Sequence, residues 1–72
     1  MKTNTTLQEA VKSLAKEIDC EDFGYETNAE LLSDLSDYDI MIQICAWVHI
    51  RDLFSLRDDE LMALLRVELL ND

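Results

Sequence analysis

The sequence of 72 residues predicts an all-α fold, a small bundle of three to four short helices in one domain, residues 1–72. Three observations carry that prediction. Apolar residues recur at intervals of three and four, a Ser or Thr stands three residues before a carboxylate at each expected helix start, and the chain holds no Pro and one Gly.

The first helix is predicted over Thr6 to Cys20. Leu7, Ala10, Val11, Leu14, Ala15 and Ile18 fall on one face, and Thr6 with Glu9 forms a capping pair in which each side chain accepts an otherwise unpaired backbone N–H. Gly24 offers a stop, because it takes a positive φ without steric cost. Residues 1–5 read as a disordered polar tail. Thr27 with Glu30 opens a second helix, Thr27 to Leu35, and Ser36 with Asp39 starts a third, Asp37 to Phe54. Leu31, Leu35, Tyr38, Ile42, Cys45 and His49 also alternate by four and three, a seam that one continuous helix would show; the break is placed near Ser36. Ser55 with Asp58 then caps a last helix, Leu56 to Leu70, whose first turn carries Asp58, Asp59 and Glu60 at the positive end of the dipole.

The run from Ile40 to Ile50 alternates perfectly and is rich in β-branched residues, which suits a strand. No other segment supplies a strand to pair with it, so a strand there would leave its backbone unsatisfied. A central apolar helix of about 37–54 is the better expectation. Its apolar residues point almost all round, so it needs neighbouring helices or a second copy to enclose it. A domain this small buries only about 60% of its unfolded surface. Together with a hydrophobic content of 49%, that leads to the expectation of a homodimer built on residues 40–54.

The net charge of −10 disfavours direct binding to nucleic acid or to an anionic membrane surface and favours basic partners. Arg51, Arg57 and Arg66 are interleaved with Asp52, Asp58, Asp59 and Glu68, so no basic reading helix is expected. The start of the chain lacks the apolar core of a signal peptide, and the longest apolar run is about half the roughly 20 residues of a membrane span. A cytoplasmic protein is expected.

Chemistry-bearing groups are few. Cys45 and His49, four apart, would share a helical face as half of a zinc site, with Cys20 and Asp52 as conceivable completions, but no spacing requires these to converge, and neither metal nor cofactor is expected. One His and no strained Gly turn leave no nucleophile with an adjacent base, so no catalytic residue is assigned and no enzyme activity is expected.

Two surfaces remain. Between Glu17 and Ile50 the chain has nine carboxylates and no Lys or Arg, and within that stretch Glu26, Glu30, Asp34 and Asp37 read as an acidic stripe along one helix face. Such a row is either a solvated face or an imitation of a phosphate backbone. Tyr38, Met41, Trp47 and Phe54 read as a protein-interaction face, because these residue types are enriched at interface hot spots. The expected function is that of a small, acidic, non-catalytic regulatory protein that binds another protein through apolar helix faces; the alternative is an acidic nucleic-acid mimic inhibiting a DNA- or RNA-binding protein. In style the chain resembles the accessory proteins of phages and plasmids. No stretch carries a family motif from which a residue role could be transferred.

Overall fold

The computed structural model describes residues 6–71; the expected tail of residues 1–5 lies outside them. Among the described residues the chain folds into five α-helices and one 3-10 turn, with no strand: α1 (Leu7–Lys16), the 3-10 turn (Cys20–Phe23), α2 (Asn28–Asp34), α3 (Asp37–Met41), α4 (Trp47–Leu53) and α5 (Asp58–Leu70).

The caps legible in the sequence form. Thr6 Oγ1 accepts the Glu9 N–H at 3.1 Å while Glu9 Oε1 accepts the Thr6 N–H at 3.1 Å, and Thr27 and Ser36 cap α2 and α3 through the N–H groups of Glu30 and Asp39. α1 is shorter than predicted. Glu17 and Ile18 donate to Leu14 and Ala15, a tightened last turn, and Asp19 caps the separate 3-10 turn by accepting from Glu21. α2 and α3 are separate helices, parted by the extended Leu35 and Ser36, with ψ of 141° and 163°.

The central helix of about 37–54 is corrected. α3 ends at Met41, α4 begins at Trp47, and the residues between them form turns in which Gln43, Ile44 and Trp47 donate to carbonyls three residues back. Three β-branched isoleucines within five residues make the helix weak here. The i−3 bonds keep the backbone paired through the break. Glu17 Oε1 adds a long-range acceptor for the Cys45 N–H at 2.9 Å, tying this turn to the end of α1. Ile40, Ile44, Trp47 and Ile50 point inward at a spacing of four and three, whereas Ile42 is 57% exposed and Val48 54%. An alternating strand would have buried all the even positions.

The core closes within one chain. α1 packs along α5, and their faces of Ala10, Val11 and Leu14 and of Leu61, Met62, Leu65 and Leu69 join Leu31, Leu32, Ile40, Ile44 and Trp47 in a single buried cluster. Trp47 is 2% exposed. The accessible surface of 4851 Å² is near the roughly 4,600 Å² expected for a monomer of this mass. The chain thus covers Ile40, Ile44, Trp47 and Ile50 of the central run itself, while Ile42, Val48 and Leu53 of residues 40–54 stay more than half exposed.

Polar straps fix the helices on this core. Arg66 of α5 pairs with Asp37 at the start of α3 and donates to the Leu32 carbonyl of α2 at 3.3 Å, and Asn28 Nδ2 donates to the Leu69 carbonyl at 3.1 Å. Two left-handed residues end helical segments in the same way. After the 3-10 turn, Gly24 (φ 87°) and Tyr25 donate to Glu21 and Cys20; after α4, Ser55 (φ 55°) and Leu56 donate to Asp52 and Arg51. Both are 5→2 and 6→1 bonded helix ends. Ser55 is thus the stop of α4 and not the cap of α5, which starts at Asp58 with the Glu60 side chain accepting the Arg57 N–H at 2.9 Å.

A Cβ at Gly24 would meet nothing within 4 Å, so the cost of filling it is conformational. Gly24→Ala should destabilise the fold by about 1 kcal/mol and Ser55→Gly should stabilise it by up to about 1 kcal/mol, since only Gly enters the left-handed region freely. Urea denaturation of the two variants checks both signs.

Candidate functional site

The four residues expected to form one interaction face do not do so. Tyr38 is two-thirds exposed, Met41 and Phe54 are half-buried against the core, and Trp47 lies inside it. The break at residues 42–46 separates Tyr38 and Met41 from Trp47 and Phe54, so no single helix face carries all four. Trp47 Nε1 donates to Asp58 Oδ1 at 3.0 Å, and Arg51 Nη1 reaches the same oxygen at 3.0 Å. The indole N–H and then the guanidinium hold the Asp58 carboxyl below the usual carboxylate range. This triad locks α4 onto the first turn of α5 and supplies the indole with the partner a buried Trp needs.

The acidic stripe is also redistributed. Glu30 and Asp34 share a face of α2, but the extended Leu35 and Ser36 carry the chain away, and Asp37 turns to Arg66. Asp34 accepts the Tyr25 hydroxyl, whose pKa is raised by that hydrogen bond, and Glu30 Oε1 accepts the Glu26 N–H at 3.0 Å. Each of the three thus has a partner within the chain; the side chain of Glu26 stands exposed before the helix.

Cys45 precedes α4, in the turn, so it does not share a helix face with His49; both are exposed. Among the described residues no three His, Cys, Asp or Glu side chains gather as metal ligands would. No helix there is long and apolar enough to cross a membrane.

The surface that sequence reasoning missed is the outer side of α5. Leu64, Val67 and Leu70 recur every three residues, each about 60° round the helix from the last, and remain exposed, Val67 and Leu70 at 58% each. With Leu61, Met62, Leu65 and Leu69 buried on the other side, α5 is apolar almost all round. The signal in the sequence is Leu61-Met62-Ala63-Leu64-Leu65, five consecutive apolar residues that one helix face cannot hold, a run shorter than that at residues 40–50.

Beside this face, α1 and α5 enclose an open groove of about 470 Å³ lined by Leu7, Gln8, Val11, Leu64, Val67, Glu68 and Asn71. A second depression of about 390 Å³ lies beyond Glu68 and is lined by Lys12, Lys16, Ala15, Ile18, Asn28 and Leu69. Glu68 is half-buried between the two. Among the described residues the ion pairs run from Arg51, Arg57 and Arg66, and none includes Glu68. The groove is a greasy channel with one carboxylate at its side that no cation contacts directly among the described residues, and it holds there no set of groups arranged for proton transfer or nucleophilic attack.

No protein-family model, curated protein or solved structure matches the chain.

Two predictions follow the placement of Trp47. Trp47→Ala should cost about 3–5 kcal/mol, much of the stability of a domain this size, and so should melt the fold rather than bare a binding face; thermal unfolding by circular dichroism checks it. Because the Asp58 carboxyl is depressed in the folded state, its contribution is present at neutral pH and lost as pH falls below about 4. Asp58→Asn keeps an acceptor for the indole but loses the charge, and it should flatten the acid limb of the stability profile measured by urea titration at several pH values.

Proposed function

We propose that this protein is a non-catalytic interaction protein that binds another protein through the apolar outer face of α5 and the adjoining α1/α5 groove. The observation that carries this reading is the exposure of Leu64, Val67 and Leu70 on a helix whose opposite side already fills the core. Apolar residues scattered singly on a surface need no explanation, but a row of them continuous with a groove is what a protein-binding face looks like. The acidity fits a supporting role. It attracts basic partners over distance and repels nucleic acid, while short-range affinity comes from the apolar contact.

The proposal shifts the expected interface from residues 40–54 to α5. Self-association, the expectation drawn from the central run, has less apolar surface to use there, because Ile40, Ile44, Trp47 and Ile50 are covered by their own chain and Ile42, Val48 and Leu53 are what stays exposed. Nucleic-acid mimicry draws less support, since Asp37 is paired with Arg66 and the extended Leu35 and Ser36 part it from Glu30 and Asp34, which keep their charge but stand as two and not as a row.

Leu64→Lys with Val67→Lys should abolish recovery of bound protein from a cell lysate, and capture by the unaltered chain should survive high salt. Glu30→Lys with Asp34→Lys should leave capture nearly intact. Capture that is lost at high salt and with the α2 pair, but not with the α5 pair, would instead establish the mimic.

A further inference from the structure

Resting on the reading of α5 as a protein-binding face, we infer that the α1/α5 groove takes a single amphipathic helix of a partner protein, one that carries Lys or Arg beside its apolar stripe. The groove is walled by side chains of two helices, and among the described residues there is no strand whose edge could accept an extended peptide. Helix-in-groove is the mode such a channel suits. From Leu64 to Asn71 the α5 wall runs about 10 Å, which matches two turns of an incoming helix presenting apolar residues at i, i+3 or i+4, and i+7. Leu7 and Val11 on one side and Leu64 and Val67 on the other then receive them.

The sign of the partner's charge comes from Glu68. It is half-buried, borders the groove and forms no ion pair among the described residues, Lys12 and Lys16 lining the depression on its other side, so an apolar occupant with no cation would desolvate a carboxylate that no described cation contacts. A Lys or Arg on the occupant removes that penalty, and the net charge of −10 favours its approach. A second copy is the poorer occupant. In a two-fold arrangement the same patch faces itself, which sets −10 against −10.

The test uses the full chain and three labelled helical peptides, with affinity read by fluorescence anisotropy. The first carries Leu at i, i+4, i+7 and i+11 with flanking Lys; the second replaces Lys by Gln, and the third keeps Lys but replaces Leu by Ser. The first should bind most tightly and the third should not bind. Val67→Asp, at an exposed site that should not disturb folding, should weaken the first peptide about tenfold or more, the scale of one lost apolar contact. Glu68→Gln should weaken it about three- to fivefold, the scale of a part-exposed ion pair. The same variant should leave the second peptide unchanged or tighter. Glu21→Gln, which removes the same charge from the 3-10 turn, should have little effect. Equal binding of the Lys and Gln peptides, or equal effects of Glu68→Gln and Glu21→Gln, would overturn the basic helix and leave the apolar face standing. Indifference of the first peptide to Val67→Asp would overturn both. Concentration-dependent dimers in light scattering that Val67→Asp dissolves would assign the groove to a second copy and likewise overturn the proposal.

Discussion

The packing of α1 against α5 is the constraint on which the rest of the molecule depends. A chain of 72 residues with helices of five to thirteen residues has no long element to organise it, and isolated helices of these lengths are marginal in water. Bringing the first and last helices together wraps the intervening turns around one cluster. Leu14, Leu31, Ile40, Trp47, Leu61 and Leu65, which come from every α-helix, are all fully or almost fully buried in it. The same packing creates the groove, because two round helices in contact leave a channel along their seam. The outer face of α5 stays apolar and uncovered as a result.

The charges serve this arrangement locally. Glu9 and Asp19 complete helix starts, Glu17 holds the turn before α4, Asp58 ties the buried indole to Arg51, and Asp37 answers Arg66 across three helices. Much of the acidity that looks like a continuous stripe in the chain is consumed in such short-range contacts. Glu68 differs. It lies half-buried on the seam between the groove and the depression lined by Lys12 and Lys16, and among the described residues it forms no ion pair.

The helix starts at Thr6, Thr27 and Ser36 were legible because a capping pair is a local device, complete within four residues. The inward face of α1 was legible for the same reason, its period being set by the backbone alone. The break at residues 42–46 was not. It contains no Gly or Pro, and what fixes it is tertiary: Ile44 and Trp47 must reach the core while Glu17, from a distant helix, accepts the Cys45 N–H. Ser55 followed by Asp58 has the same pattern as the true caps, yet Ser55 adopts the left-handed stop of α4, a conformation better suited to Gly. The site suffered most. Residue type pointed to Trp47 as an anchor for a partner, whereas the largest side chain of a small domain is first claimed by its own core, and the exposed apolar residues that border a groove, Leu64 and Val67, lie on the last helix.

The claim that one chain covers its own core is tested most directly by the fluorescence of the single Trp, followed as the protein is diluted from high micromolar to nanomolar concentration. A blue emission maximum, protected from acrylamide quenching and unchanged on dilution, is what a self-contained fold requires. A shift to the red with loss of protection as copies separate would show that Trp47 owes its burial to a second molecule, and the assignment of α5 as the free surface would fall with it.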